Sequence, residues 1–567
     1  MLRNLTGGAI ALALTMTAPL CAQDISILVL QADALPGGGT VIDLLSVKVN
    51  DDGTWAAVLA DQSVFAPAVV LRDDAVVYRN GMPVSGPGGG SYVALSAALG
   101  LNEAGDVTGP FSVTGSGPAT AVIGYEGAAV LEEDEPVFAA GVHVGSAYEG
   151  FLASWSAVEG RFLVHAQLTA PGVGSHEALI DVTFDPSMGL LFEQLVVKSG
   201  DVLPGQTAAA VEFGDFFNYG QTADINRLGD VAFAVSLDHA VASSAVYLGD
   251  ELIALEGQPS GVVPGDHWAE LERAAIDLTE GGKLAFRGRL QVAGQAIVYD
   301  GHLVAKFGDA APGVGPGATF SGISQTGPIS VSESGEVLFV ASWQGSSTGS
   351  GLFLGEQLLV HDGVSTTGGF TIAAVSTHRR ALGMSPSGRY VIFLGTLTNT
   401  LEGAFLIDRG PRPLSFCAGD GFFEFGPGLV PCPCSNESDF GRGEGCKNSQ
   451  GHGAYLGMRG SLQTAANDTV FTMHQVRPNQ PGMLVQGSGI QALSFRDGLL
   501  CMGNPTERIE VVFTDSTGYG QTTSDISAEG NVLPGETRYY QYWYRDPDLS
   551  VCGTGSNLSQ ALKVQWQ

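Results

Sequence analysis

At 567 residues the chain is too long for one ordinary domain unless it is built from repeats. Its 58 acidic residues against 26 basic ones give a formal charge of -32, which repels nucleic acid and anionic membrane and argues against both as partners. Hydrophobic residues reach 44%, enough for a large core, while 80 glycines point to short strands joined by many turns.

The chain begins with the features of an export signal. Arg3 supplies a positive start, Ala9 to Leu14 an apolar stretch, and Ala22 a small residue at the expected cut, so residues 1–22 read as a signal peptide. Cys21 offers a lipidation alternative, although Ala18, Pro19 and Leu20 fit such a site badly. No later stretch approaches the ~20 apolar residues of a transmembrane segment, so the expected location is extracellular, secreted or at the cell surface.

Residues 23–410 carry an internal repeat. A turn glycine recurs every fifty-odd residues at Gly53, Gly105, Gly160, Gly229, Gly282, Gly335 and Gly388, with one longer step into Gly229. The surrounding text recurs too. Asn226-Arg227-Leu228-Gly229-Asp230-Val231-Ala232-Phe233 is the clearest copy, with relatives at Asn50, Thr279 and Ser332. Asn, Ser or Thr can bond across a tight turn whose glycine takes positive φ, and the alternating apolar residues that follow make a strand. Four strand-like runs per unit predict a blade, and seven units predict a seven-bladed β-propeller. A lone strand at Ile25–Leu30 and another at Gly403–Ile407 would pair to close the ring and remove an exposed edge.

In such a propeller the tight turns share one face and the longer loops share the other. The loops between blades repeat an acidic residue followed by Pro-Gly, at Asp33, Asp201 and Asp309, with Asn80, Asp134, Glu256 and Asp362 at equivalent positions. These acids could line a polar rim or hold Ca²⁺ through hard oxygen ligands. The competing reading is that each caps its own turn, which seven-fold recurrence favours.

Catalytic motifs are scarce. The repeat region has no cysteine, and its histidines lack metal-ligand spacing. Gly345-Ser346-Ser347-Thr348-Gly349 matches G-x-S-x-G but lies in a Gly/Ser loop rather than a strand-to-helix elbow. Asn50 to Trp55 is faintly similar to the Asp-box of sialidase propellers, but the aspartate does not repeat and the tryptophan is displaced. A carboxylate pair cannot be chosen among so many acids.

Residues 411–567 change character. Six cysteines, Cys417, Cys432, Cys434, Cys446, Cys501 and Cys552, all fall here, which in an exported chain predicts three disulfides stapling a β-sandwich-like domain. The expected pairing is Cys501 with Cys552 and the four earlier cysteines among themselves, with a zinc site as the rival. The aromatic run from Tyr539 to Tyr544 is read as core, or alternatively as a sugar platform.

With these residues in view, the repeat region resembles secreted bacterial tandem-repeat proteins named for an N-x-x-G-x-x-A-F signature, which Asn226, Gly229, Ala232 and Phe233 match in full. The tail, with Cys432-Pro433-Cys434 and Tyr539-Tyr540-Gln541, looks like a cysteine-rich C-terminal domain of exported proteins from aquatic bacteria. The resemblance implies secretion and brings no catalytic residues. The leading expectation is therefore a non-enzymatic binding or structural protein, its propeller loops facing an extracellular glycan or surface protein and its tail anchoring or sorting. The alternatives are a polysaccharide-active hydrolase or lyase with acids on the long-loop face, and a structural envelope component. A deep central funnel lined by converging acids, an arginine and aromatics would favour the enzyme.

Overall fold

A computed structural model describes residues 25–567 apart from 62–63, 85–89, 115–118, 186–189, 208, 213–220, 239–242, 424–427 and 548–549. The proposed signal peptide and Cys21 lie outside the described residues. The described chain is all-β, as expected, with one short helix at Ile526–Glu529.

Seven antiparallel sheets follow one another up to Asp408. The first runs through Val41–Val49, Trp55–Asp61, Val64–Arg72 and Ala75–Arg79 in simple meander order. The seventh is completed from the other end of the chain: Ile25–Leu30 pairs antiparallel with Glu402–Asp408, Ile25 opposite Ile407. Each sheet touches the next, and the seventh touches the first, so the succession closes on itself.

Seven apolar clusters fill the spaces between neighbouring sheets, one for each junction. Strand periodicity explains this. In Val231–Leu237, Phe233 points into the junction with the third sheet and its neighbour Ala232 into the junction with the fifth. The signature pair thus serves two cores at once. The tight turn before it is set by Gly229, whose φ of 87° is costly for any residue with a Cβ.

In the second, fourth, sixth and seventh sheets the innermost strand is broken into two pieces that pair with the same neighbour. Phe370–Val375 and Leu382–Met384 both pair with Tyr390–Leu397, for example. In the seventh sheet the backbone between the two pieces carries Arg379 and Arg380 to a cavity at the centre of the ring.

The C-terminal domain has a five-stranded sheet (Leu414–Phe416, Ser556–Gln565, Thr537–Arg545, Pro481–Phe495, Gly498–Phe513) and a three-stranded one (Tyr455–Arg459, Val470–His474, Gly520–Gln521) around one core. Tyr540, Tyr542 and Tyr544 are buried in that core, the period of two along the strand turning all three inward. Their hydroxyls are used there: Tyr540 donates to Gln486 at 2.6 Å and Tyr542 to the Val512 carbonyl at 2.8 Å.

All six cysteines form disulfides, which leaves none for zinc, but the expected pairing is corrected. The bridges are Cys417–Cys501, Cys432–Cys446 and Cys434–Cys552. Cys501 is fully buried on a long strand beside Cys417, which follows directly on Leu414–Phe416, whereas Cys552 belongs to a turn facing Cys434.

The domain is fixed to the ring by buried charge. Glu336, at the base of the sixth tight turn, accepts Arg409 at 2.9 Å and Arg412 at 2.7 Å, with all three side chains at most 4% exposed. Arg442 forms a two-pronged pair with Asp230 of the fourth turn, one contact at 2.9 Å.

Candidate functional site

The acids expected to ring the long-loop face do not come together. Asp33 accepts the Leu30 N–H at 2.7 Å, Asp201 the Lys198 N–H at 2.9 Å and Asp309 the Lys306 N–H at 2.9 Å, each within its own turn. Glu256 accepts the Ser244 hydroxyl at 2.8 Å, and Asp362 the Val375 N–H at 2.9 Å. Asp134 supplies a positive φ of 68°, and the capping role passes to Glu135, which accepts the Glu132 N–H at 3.1 Å. Asn80 uses its backbone N–H on the Ala68 carbonyl. Among the described residues no group of three His, Cys, Asp or Glu could hold a metal ion.

Chemistry converges elsewhere, at the centre of the ring. A cavity of about 100 Å³ is walled by Lys48, Gly100, Trp155, Asp224, Asp277, Ser330 and Gly383, one residue from each sheet in order. All seven occupy one repeat position, two residues ahead of the first residue of the tight turn: Asp224 precedes Asn226, and Asp277 precedes Thr279. The same backbone geometry therefore presents seven side chains to one axis. Reading down that column of the repeat would have found the site. The more visible signal in the sequence is the acid that recurs in the loops between sheets.

Asp224 and Asp277 form the core of the cavity. Asp277 accepts the Val331 N–H at 2.6 Å, the Ser330 hydroxyl at 3.1 Å and the Gln221 amide at 3.0 Å. Lys48 donates to the same Gln221 at 3.0 Å, so a cation, an amide and a carboxylate stand in line. Asp224 accepts the Leu278 N–H at 2.9 Å. Burial pushes the Asp224 carboxyl well above the usual carboxylate range, and the charge of Asp277 adds to the push. Burial raises the Asp277 carboxyl as well, opposed by Lys48 and by the Val331, Ser330 and Gln221 donors, so of the two Asp224 is the better holder of a proton.

Acids also rim the mouth at the tight-turn end, and each one clasps the preceding sheet. Glu103 accepts the Asp51 N–H at 2.9 Å, Glu280 the Arg227 N–H at 2.8 Å and Glu333 the Gly281 N–H at 3.2 Å, while Asp51 closes the seam by accepting the Ser387 N–H at 2.9 Å. Burial raises Glu280 and takes Glu333 up to about 7. The signature asparagine adds to this: the Asn226 amide donates to the Thr279 carbonyl at 3.2 Å in the next turn, and Asn50 does likewise to Asn102 at 3.3 Å. At the other end of the axis a smaller cavity shares Lys48, Leu99, Trp155 and Gln221 with the first and is lined by Arg379 and Arg380, both from a detour of the broken inner strand.

The repeat region that builds this site matches one known family. The chain belongs to DUF7453, a family of unknown function. Residues 21–353 and 192–400 match DUF7453 in overlapping stretches, so the cysteine-rich domain lies outside the match. Among curated proteins there is no match. Solved structures similar to this DUF7453 chain include a polysaccharide lyase, Uly1, at 9% identity and TM-score 0.29, covering 66% of this chain and 92% of that one. A Trypanosoma rangeli sialidase in complex with sialic acid has 10% identity and TM-score 0.24, covering 96% and 91%. A GH43 glycoside hydrolase has 10% identity and TM-score 0.21, covering 82% and 94%. The expectation of a non-enzymatic binding or structural protein with an anchoring tail is corrected on the geometry of the site: Asp224, Asp277, Glu103, Glu280 and Glu333 converge with Trp155 on one central cavity.

Proposed function

We propose that this chain is an extracellular glycan-cleaving enzyme, that its seven sheets are the blades of a closed β-propeller, and that the C-terminal domain is a disulfide-stapled β-sandwich. One observation carries the catalytic reading: two buried aspartates on adjacent blades face one cavity, Asp277 with Lys48 and three donors against its charge penalty and Asp224 with fewer. Asp224, holding the proton, is the general acid that protonates the leaving glycosidic oxygen. Asp277, held by three donors, is in its ionised form the general base that takes a proton from water, or the nucleophile at the sugar carbon. Lys48 and Gln221 position Asp277. The three disulfides support an oxidising compartment, and the signal-like first 22 residues support export.

The test is cleavage of a polysaccharide panel, read as new reducing ends, with Asp224→Asn and Asp277→Asn as controls. Loss of a general acid or base costs ~10²–10⁴ in rate. Both variants are expected to lose at least that much while keeping the wild-type melting temperature. Activity unaffected by either substitution would refute the assignment. Because Asp224 titrates above the ordinary carboxylate range, the alkaline limb of the rate profile is expected above that range as well.

A further inference from the structure

We infer that the site accepts a single terminal sugar, neutral or amino-bearing, so that the enzyme trims glycan chains from an end rather than cutting them internally. The inference rests on the glycan-cleaving reading and names the substrate class for it. Three features lead there. The cavity is walled on every side, one residue from each of the seven sheets, so a chain cannot lie across the aspartate pair as it would in a groove. Its volume of about 100 Å³ holds about three waters at ~30 Å³ each, room for the inner part of one sugar ring and no more. Its floor is formed by Lys48, Leu99, Trp155 and Gln221, which separate it from the smaller cavity beyond.

The C-terminal domain restricts approach further. It stands on the same tight-turn face as the mouth, over the fourth, fifth and sixth turns. The Arg442 backbone crowds Gly281, and the Tyr455 hydroxyl donates to the Glu333 carbonyl. A polymer laid flat over the mouth would collide with it; a chain arriving end-on would not.

Charge then selects among chain ends. Glu103, Glu280 and Glu333 surround the opening, and the whole chain carries a formal charge of -32. Above about pH 7, where Glu103 and Glu333 are ionised, a uronate or sulfated sugar must pass a negative rim and meet the aspartate pair, whereas a neutral sugar meets no such barrier and an amino sugar is drawn in.

The experiment separates this inference from the catalytic one by measuring binding and products independently. Binding of neutral, amino and uronate oligosaccharides of increasing length to the full mature chain and to Asp224→Asn is followed by calorimetry. Affinity is expected to level off after the first one or two sugars and to be at least tenfold weaker for the uronate series. Glu103→Gln, which retains an acceptor for the Asp51 N–H, is expected to narrow that gap. On an active substrate, monosaccharide should accumulate from the first minutes while the viscosity of the polymer stays near its starting value. Affinity that climbs steadily with length, preference for uronates, a rapid fall in viscosity, or no binding by any neutral or amino sugar would each overturn the inference. Saturating end-on binding without any cleavage would instead sink the enzyme and leave the end-binding site standing.

Discussion

Asn226 shows how one side chain can define a turn and join two sheets. Its Oδ1 accepts the Leu228 and Asp230 N–H groups, while its amide donates across to Thr279 in the next turn. Ser332 and Ser385 at the equivalent positions keep the turn-defining part, accepting N–H bonds from Glu336 and Tyr390. They have no amide to reach across. Asn226→Ala removes buried hydrogen bonds at ~1 kcal/mol each and leaves unpaired groups behind, so a loss of about 2–3 kcal/mol is expected in denaturant melts. Asn226→Ser should recover the turn-defining share. A loss for the alanine variant no larger than that of an exposed polar residue would show that the bridge contributes nothing. The asparagine was legible in the sequence as a turn former. Its reach to the next sheet was not, because that depends on how closely two turns approach, and spacing along the chain does not encode the distance.

At the scale of elements, strands were the legible part. Alternating apolar residues after a turn glycine predicted Val231–Leu237 and Val337–Gln344, where both faces of each strand meet a core. The broken inner strands were not legible. Thr377-His378-Arg379-Arg380 has no strand periodicity and reads as an ordinary loop, yet it carries two arginines to the axis. Disulfide pairing was illegible for a related reason: Cys432 and Cys434 are two residues apart and point to different partners, one 14 and the other 118 residues away. The bridge between Cys417 and Cys501 spans 84 residues, and the chain-entropy account values a loop of that size at ~4 kcal/mol. The paired substitution Cys417→Ser/Cys501→Ser should lower the stability of the C-terminal domain by about that amount, read by thermal melts of the oxidised chain. Removal of residues 25–30 tests the other long-range element. It strips Glu402–Asp408 of one of its two partners and exposes a strand edge, so aggregation and a lower melting temperature are expected. A truncated chain that stays monomeric with an unchanged melt would mean that the seventh sheet does not need this strand.

For the whole molecule, opposing carboxylate shifts give stability a maximum in mild acid. Glu333 titrates near 7 when folded, above its ordinary value, so the folded state holds a proton that the unfolded chain has already lost; stability rises as pH falls from about 7 toward the usual carboxylate range. Glu336 goes the other way. Burial alone would raise it, but Arg409 and Arg412 outweigh burial and hold it below its ordinary value, so its contribution is present at higher pH and is lost in stronger acid. Melting temperature is therefore expected to climb on mild acidification and then to fall, with the C-terminal domain losing its hold on the ring first. Glu333→Gln should shallow the upper limb, which Glu103, Asp224 and Glu280 share, and leave the lower one. A curve that declines steadily from neutral pH would contradict the assignment of both groups.

The column of seven axis residues has a consequence for how such a protein can change. Lys48, Gly100, Trp155, Asp224, Asp277, Ser330 and Gly383 occupy one repeat position, and the asparagine, glycine and apolar residues that build the fold occupy others. Chemistry and architecture are thus written at separate positions of the same unit. Substitutions at the axis can alter what the centre does while the surrounding turns and cores stay as they are, with Ser330, Asp277 and Asp224 tied to one another. Relatives built on this ring are open to innovation at the axis, with Gly383, where a Cβ would meet only ordinary contacts, as the freest position, whereas at Gly100 a Cβ would strike Thr108 and the Ser156 backbone.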